Sequence, residues 1–282
     1  MPDIVFHAGY GKTATTYLQQ QILPAVQALG SYSTVSGTKA LHRTIRKRIR
    51  TNDPRFWKSR KGHDIADRIV ASVSRTPIVY SSEHLMAPPE LRFSIRRLGE
   101  RHALVQHIEA FATHAWNGRG TVHVMLTLRN QADWLASFYA QKSQRLPASQ
   151  FDFEKRVRSF LKRPGVTGRA YLDYVGLVGQ IERRLGEGRV HVLVYEEMMR
   201  KQFWRDLGAV TDYNFVVPSG YAGAPRNASR TGLSCWRAGR SGNEVDITLT
   251  PALRREIMSV YEESNAALQT WLGRNLAYYN VT

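Results

Sequence analysis

The chain has 282 residues, of which 43% are hydrophobic, and a formal net charge of +17, which favours anionic partners. This length fits one large α/β domain with its own core, and no apolar run approaches the roughly 20 residues that a membrane-spanning helix needs. The single cysteine, Cys235, excludes an internal disulfide, and the N-terminus lacks a charged-then-apolar signal, so we predict a cytoplasmic, bacterial protein.

The first apolar run is followed by the most informative segment of the chain. Residues 4–6 predict a short buried strand, and residues 7–16, HAGYGKTATT, predict a glycine turn that opens a helix. Gly9 and Gly11 let the backbone approach a charged oxygen closely, and the first N–H groups of the helix point at that oxygen. A cation and three hydroxyl donors complete the set: Lys12, Thr13, Thr15 and Thr16. The segment predicts a phosphate cradle, with an ordinary strand-turn-helix as the alternative.

The next stretch is helical and then strongly basic. Residues 15–23 predict a helix, which Pro24 either kinks or restarts and which Gly30 is expected to end. Residues 31–35 predict a second strand. Residues 39–61 carry ten lysines and arginines against the single acid Asp53, with a thin apolar seam at Ile45 and Ile49 that indicates a helix. This stretch is either a solvated surface face or a patch that binds an acceptor.

Residues 64–74 predict a helix and residues 78–80 a strand, which runs into Ser81, Ser82, Glu83 and His84. Further helices are predicted at residues 91–98 and 103–115. Val122–Leu128 is a near-continuous apolar run, as expected for a parallel strand that is covered on both faces. Arg129 and Asn130 follow it, and residues 132–144 predict its crossover helix.

Strands continue to alternate with helices towards the C-terminus. Residues 171–185 predict a helix and residues 190–195 a strand, whereas residues 219–242 are rich in glycine, arginine and serine and predict irregular structure. Thr250 and Pro251 predict the start of one last helix, with Val260 and Leu272 among its inward-facing residues. The alternation predicts a three-layer α/β fold, a mostly parallel sheet with helices on both faces. We predict a single domain, residues 1–282, with basic helical insertions near 39–75 and 142–170.

The cradle differs from the loop of nucleotide triphosphatases. That loop reads G-x-x-x-x-G-K-[ST], but the residue five positions before Gly11 is Phe6, so the spacing is too short. The later strands run into serines or into Arg129 rather than into an aspartate that could hold magnesium. The histidines show no metal-ligand spacing either. A phosphorylated nucleotide bound without a metal therefore fits better than a kinase.

Residues 122–141, VHVMLTLRNQADWLASFYAQ, and the cradle together resemble the sulfotransferases that use 3'-phosphoadenosine 5'-phosphosulfate (PAPS). In that family a motif of roughly K-[ST]-G-T-T grips the 5'-phosphosulfate, and a motif of roughly R-N-P-x-D-x-x-x-S binds the 3'-phosphate. This chain matches the two motifs at Lys12, Thr13, Thr15 and Thr16, and at Arg129, Asn130, Asp133 and Ser137. Residues 190–196 and 251–273 are similar to a later strand and to the closing helix of that family.

Two positions depart from the family motifs. Ala14 replaces the glycine of the first motif, and Gln131 replaces the proline of the second. We expect Ala14 to lie inside the start of the helix, where a methyl group is small and helix propensity is good. Neither change removes a charged ligand. The resemblance therefore implies a P-loop-like sulfotransferase fold, PAPS as co-substrate and no metal.

The resemblance also implies roles for individual residues. We assign Lys12 to the oxygen that bridges phosphate and sulfate, where a cation stabilises the leaving charge. Family members use a histidine or a glutamate as the base; Glu83, which directly ends a strand, is favoured, His84 is the second candidate, and Glu83 as a mere helix cap is the third reading. Asp133 is expected to fix the backbone around Arg129. The implied cofactor-binding residues are Gly9, Gly11, Lys12, Thr13, Ala14, Thr15, Thr16, Arg129, Ser137 and, in a closing loop, Arg226 and Arg230.

The predicted function is transfer of a sulfuryl group from PAPS to a hydroxyl or amine, with a carbohydrate or glycolipid as acceptor. Trp57, Trp116 and Trp134 are candidate sugar-stacking surfaces, although tryptophans more often lie in a core. The alternatives are a small-molecule kinase, which would require magnesium and ATP, and a non-catalytic binder of polyanions or nucleic acid. Within the basic stretch, residues 39–50 contain no phenylalanine, tyrosine or tryptophan between the lysines and arginines, so nucleic acid is the less favoured partner.

Overall fold

The computed structural model describes residues 3–10, 13–30, 35, 38–50, 53–82, 85–86, 101–145, 147–165, 168–215, 231–232 and 234–280. The chain divides into two units. The first comprises Met1–Glu90, Arg97–Leu128 and Val178–Tyr221, and the second comprises Leu91–Arg96, Arg129–Leu177 and Ala222–Thr282. The single-domain assignment, with its two basic insertions, stays a prediction.

A five-stranded parallel sheet organises the first unit, in the order β2-β3-β1-β4-β5. Its strands are β1 Ile4–Gly9, β2 Leu29–Gly30, β3 Ile78–Ser81, β4 Val122–Leu128 and β5 Val190–Val194. The central strand β1 pairs with β3 and β4 in parallel, with Ile4 opposite both Ile78 and Val122. The sheet and its flanking helices confirm the predicted α/β fold.

The helices are interspersed with short π- and 3-10-helical segments. The α-helices are α1 Thr15–Tyr17, α2 Thr38–Arg50, α3 Arg60–Ala71, α4 Arg101–Ala110, α5 Gln131–Lys142, α6 Gln150–Lys162, α7 Tyr174–Leu185, α8 Lys201–Thr211, α9 Pro251–Val260 and α10 Glu262–Leu272. Segments Leu18–Ile22 and Phe111–Ala115 are π-helical, and Leu23–Val26 and Pro54–Lys58 are 3-10. No helix in the described part of the chain is long and apolar enough to cross a membrane.

One face of the sheet is covered by the helical segment that follows β1 and by α8. Alternate strand residues Val5, Val79, Met125 and Leu193 belong to one buried cluster on this face. The covering side chains are Leu18, Leu23, Val26, Phe203, Trp204, Leu207 and Val210. Each fully buried apolar side chain of this kind contributes about 1.5–3 kcal/mol through removal of its surface from water.

The opposite face carries an aromatic cluster. The ring centroid of Phe6 lies 5.6 Å from that of Tyr80 and 5.2 Å from that of Phe111. Phe111 in turn lies 5.0 Å from Trp57 of segment Pro54–Lys58. The Tyr80 hydroxyl donates to the carbonyl of His42 in α2. Because helices cover both faces, the strands can be apolar along nearly their whole length.

The second unit combines helices with a short antiparallel hairpin. Strands β6 Cys235–Ala238 and β7 Val245–Thr248 pair with Trp236 opposite Ile247. Ser149 caps α6, because its hydroxyl accepts from the Asp152 N–H, and Thr250 caps α9 in the same way through the Leu253 N–H. The predicted start of the last helix, with Pro251 in its first turn, is therefore confirmed.

Several predicted elements differ from the structure. Gly30 does not end the helix, because the helical segment stops at Val26 and Gly30 belongs to β2. Residues 31–34, and the helix predicted at 91–98, lie outside the described residues. Part of the stretch expected to be irregular forms β6, whose strand signal depends on its pairing with β7. The last helix breaks at Tyr261 into α9 and α10, and Val260 is 39% exposed rather than inward-facing.

Buried histidines make the stability of the protein depend on pH. Burial lowers the pKa of His7 and of His107 to about 4 from the ordinary 6.5. Below pH 6.5 these two imidazoles take up protons in the unfolded chain but stay neutral in the folded chain. Their contribution to the free energy of unfolding is therefore present above pH 6.5 and is lost as the pH falls towards 4. Each group should lower the free energy of unfolding by up to about 1.4 kcal/mol per pH unit in that window.

Urea unfolding between pH 7 and pH 5 measures this dependence. The His107→Gln variant keeps an acceptor for the Trp57 indole N–H, which donates to His107 Nδ1 at 3.0 Å, but cannot take up the proton. Its stability should therefore fall less steeply with acidification than that of the wild type. An unchanged slope would show that His107 is not one of the groups responsible.

Candidate functional site

The turn after β1 is folded tightly on itself. A Cβ atom at Gly9 would lie 2.1 Å from Thr15 Cγ2 and 3.0 Å from Thr13 Oγ1, so only glycine fits there. The Thr13 hydroxyl donates to the Tyr10 carbonyl at 2.6 Å. The atoms that approach Gly9 are those of the chain's own threonines, and the Thr13 hydroxyl proton is used within the turn; approach of a ligand oxygen to Gly9 stays a prediction.

The sequence analysis expected Ala14 to lie inside the start of the helix, and this was wrong. Ala14 is the residue before α1 and has φ 56° and ψ 20°, in the left-handed region. A residue with a Cβ atom is disfavoured there by about 1–2 kcal/mol, whereas glycine is not. The first sulfotransferase motif of the resemblance has glycine at this position, and glycine is the residue that adopts the left-handed region without strain.

We expect the Ala14→Gly variant to be more stable than the wild type. Removing the Cβ atom relieves the left-handed strain, while the greater freedom of glycine in the unfolded chain offsets about 0.4–1 kcal/mol of the gain. The net increase in the free energy of unfolding should be up to about 1 kcal/mol, measured by urea or thermal unfolding. The matched control is Ala267→Gly at an exposed position of α10, which should lose about 0.5–1 kcal/mol. Destabilisation by both changes would contradict the strain at Ala14.

The helical segment after Ala14 begins without a side-chain cap from Ala14, and the first turn of α1 carries no acidic residue. The Leu18 N–H donates to the Ala14 carbonyl at 3.0 Å. Thr15 is buried and Thr16 is half-buried at this end. A helix N-terminus carries a partial positive charge, which attracts an oxyanion.

The second motif begins at a cap that the sequence analysis did not identify. The Asn130 side-chain oxygen accepts from the N–H groups of Ala132 and Asp133, at 3.0 and 3.2 Å, and so caps α5. Asp133 forms a 2.7 Å ion pair with Arg254 of α9. Arg129 is 5% exposed, and its carbonyl accepts from the Tyr174 hydroxyl at 2.6 Å. The Asn130 cap and the Tyr174 contact fix the backbone next to Arg129, whereas the role expected for Asp133 stays a prediction.

Gln131 has a structural reason to replace the family proline. Its amide nitrogen donates to the Asn265 side-chain oxygen at 2.7 Å, and the Asn265 amide donates back at 3.3 Å. The reciprocal pair joins the first turn of α5 to α10, which proline could not do. Ser137 lies further along α5 and is 7% exposed.

Only some of the predicted site residues lie in the described part of the chain. Gly9, Thr13, Ala14, Thr15 and Thr16 form the turn described above, and Arg129 and Ser137 flank and occupy α5. The remaining predicted residues lie outside the described part of the chain: Gly11, Lys12, Glu83, His84, Arg226 and Arg230.

The three candidate sugar-stacking tryptophans are core residues. Trp57, Trp116 and Trp134 are at most 1% exposed, and Trp134 stacks on Phe138 with ring centroids 4.7 Å apart. They cannot present a face to a sugar, and that expectation was wrong. A basic surface does exist in the first unit, where Lys39, Arg43 and Lys47 of α2 are exposed.

A polar network at the carboxyl end of the sheet was missed by the sequence analysis. His7 Nδ1 lies 2.7 Å from Ser81 Oγ, and His7 Nε2 lies 2.8 Å from Thr127 Oγ1. The Gln19 amide donates to Ser81 Oγ at 2.9 Å. A signal was available, because His7, Ser81 and Thr127 interrupt strand patterns that are otherwise apolar. Only the strand register, however, shows that they meet.

Comparison with known proteins identifies the fold. No family's sequence model matches the chain, and no curated protein matches it. Among solved structures, a sulfotransferase from Alicyclobacillus acidocaldarius matches with a TM-score of 0.52 and 16% identity over 98% of this chain and 97% of that chain. The sulfotransferase domain from the curacin biosynthetic pathway matches with a TM-score of 0.44 and 12% identity, over 98% and 99%. The chain thus has the α/β fold of the Alicyclobacillus sulfotransferase.

Proposed function

We propose that the protein is a PAPS-dependent sulfotransferase, which moves a sulfuryl group to a hydroxyl or amine of a carbohydrate or glycolipid. The turn of residues 9–16 takes the 5'-phosphosulfate, and Arg129 and Ser137 take the 3'-phosphate. Arg226 and Arg230 are assigned to the nucleotide as a closing loop. A cytoplasmic location, a bacterial origin and the absence of a metal remain predictions.

The backbone at Ala14 carries this proposal. A left-handed residue stands where the first motif has its glycine, in a turn between a buried strand and an uncapped helix end. Backbone strain of this kind persists where the surrounding structure holds it in place, and it is concentrated at functional sites. The tight packing of Gly9 against Thr15, which a Cβ atom would prevent, supports the same reading. Both features suit a cradle for a phosphosulfate oxygen.

The chemistry requires positioning and charge stabilisation rather than covalent catalysis. Sulfuryl transfer resembles phosphoryl transfer in this respect. When bound, PAPS supplies the sulfuryl group and a good leaving group. We assign Lys12 to the charge that develops on the bridging oxygen, and Glu83 to the acceptor proton, with His84 as the second candidate. A base at this position would accept the proton that the acceptor loses as the sulfuryl group is transferred.

The exposed cations of α2 support an anionic acceptor. Lys39, Arg43 and Lys47 follow one another at intervals of four residues, so they form a stripe on the side of α2 opposite the buried Leu41 and Ile45. Like charges at this spacing repel each other, and an anionic chain or headgroup would relieve that repulsion. The stripe would thus raise the local concentration of such an acceptor.

Calorimetry with adenosine 3',5'-bisphosphate tests the cofactor. We expect binding without added magnesium, followed by transfer of label from PAPS to members of a glycan and glycolipid panel. Binding of magnesium-ATP with no affinity for the bisphosphate would instead indicate a small-molecule kinase. Salt-sensitive binding of DNA with no affinity for either nucleotide would indicate a polyanion binder.

A further inference from the structure

A single buried histidine joins the three strands whose ends carry the proposed site. His7 of β1 is 0% exposed, and it contacts Ser81 of β3 on one side and Thr127 of β4 on the other. Ser81 and Thr127 are themselves 0% exposed. The three residues lie on one face of the sheet, and the same face is apolar further back along the strands, at Val5 and Val79.

The hydrogen bonds of this cluster have a consistent direction. Gln19 donates to Ser81 Oγ, so the serine can donate its own proton to His7 Nδ1. His7 Nε2 then carries the ring proton and donates to Thr127 Oγ1. The ring must be neutral in this arrangement, and burial lowers the pKa of His7 accordingly. Every polar group of the ring is satisfied, as a buried network requires.

The cluster is close in sequence to the proposed catalytic segments. His7 precedes Gly9 by two residues, and Ser81 precedes Glu83 by two residues. Gln19 belongs to the helical segment that follows the cradle turn. Thr127 Cβ is also one of the nearest atoms to the space beside Gly9, at 3.6 Å from the position of a Cβ atom there. The turn is therefore held from β1, β4 and its own helix at the same time.

We propose that His7 is a positioning residue, which sets the cradle turn against the end of β3 through Ser81, Thr127 and Gln19. An apolar side chain would fill this position in the sheet without the desolvation cost of a buried imidazole. Hydrogen bonds are directional, so this network fixes the position of the turn relative to β3 more closely than apolar contacts would. Displacement of a reacting group by 1 Å can reduce a rate about a hundredfold. The inference rests on the proposed function, because the turn must bind PAPS for its position to matter.

Three variants test this role. His7→Leu removes both hydrogen bonds, whereas His7→Gln retains a donor and an acceptor on one planar group. His107→Leu is the matched control. His107 is 1% exposed, and among the described residues it makes no hydrogen bond to this cluster. The dissociation constant of adenosine 3',5'-bisphosphate, the KM for PAPS and kcat are measured for each variant, together with the melting temperature.

We expect His7→Leu to weaken bisphosphate binding and to raise the KM for PAPS by about tenfold to a hundredfold. His7→Gln should recover most of this loss, and His107→Leu should bind like the wild type at a comparable loss of melting temperature. The preference for the bisphosphate over adenosine 5'-phosphate should survive in His7→Leu, because the 3'-phosphate is assigned to Arg129 and Ser137. If His7→Leu does not fold, Thr127→Val removes the hydrogen bond to His7 Nε2, and Ser81→Ala removes those to His7 Nδ1 and to the Gln19 amide. Both variants should show the same direction.

Three results would overturn the inference. Wild-type binding and KM in His7→Leu, or an equal loss in His107→Leu, would leave His7 as an ordinary core residue. A wild-type protein that binds no bisphosphate at all would remove the proposed function, and this inference with it. Normal wild-type binding combined with an unaffected His7→Leu variant rejects only the role of His7.

Discussion

The Lys12→Ala variant should turn over PAPS at least a hundredfold more slowly than the wild type. The proposed role of Lys12 is to stabilise the negative charge that develops on the bridging oxygen as the sulfuryl group leaves. One preorganised donor of this kind lowers a barrier by about 2.7–4 kcal/mol. Because that charge is present only in the transition state, the main loss should be in kcat, measured with a labelled sulfuryl donor under saturating PAPS.

Two further variants make the Lys12 result specific. Lys12→Arg keeps the charge but changes its geometry, so it should retain more activity than alanine. Lys58→Ala removes an exposed lysine from segment Pro54–Lys58 and should leave kcat within twofold. Near-normal turnover of Lys12→Ala would exclude this lysine from the mechanism, whatever the cofactor proves to be.

The Arg129→Met variant should lose its preference for a 3'-phosphate. The arginine is 5% exposed, and hydrogen bonds from a charged donor contribute about 1.5–3 kcal/mol each. Binding of adenosine 3',5'-bisphosphate should therefore weaken about 10–150-fold. Binding of adenosine 5'-phosphate, which lacks the 3'-phosphate, should change little. Calorimetry with both nucleotides provides the comparison.

The control for Arg129 is Arg205→Met, which removes an exposed arginine of α8. It should bind both nucleotides as the wild type does. A parallel loss for both nucleotides in Arg129→Met would point to a general disturbance of α5 rather than to recognition of the 3'-phosphate. An unchanged preference would remove Arg129 from the proposed site.

The core of the fold could be predicted from the sequence because its strands are local apolar runs. Val122–Leu128 and the run before the cradle are both covered on two faces, and such strands are recognisable without knowledge of their partners. β2 has only two residues and β6 depends on its pairing with β7, so neither has a strong signal of its own. The Asn130 cap and the break at Tyr261 depend on local geometry that composition does not specify.

The motifs of the candidate site could be predicted from the sequence, but the positions of its residues in three dimensions could not. The motifs identified Gly9 and Ala14 as special positions, although the left-handed backbone at Ala14 was not foreseen. The His7 cluster depends on the register of three strands that are far apart in sequence. No local pattern can state that register, because the parallel strands are joined through long crossovers.

A Cβ atom added at position 9 would collide with Thr15, so substitutions at these two positions must be considered together. The atom in the way is the methyl group of Thr15, which serine does not have. Alanine in place of Gly9 therefore requires the loss of that methyl group, as in Thr15→Ser, and the Thr13 hydroxyl oxygen would still lie 3.0 Å from the new Cβ atom. The exchanges at positions 9 and 15 should be far from additive. Natural relatives that carry a bulkier ninth residue should show the compensating loss of that methyl group.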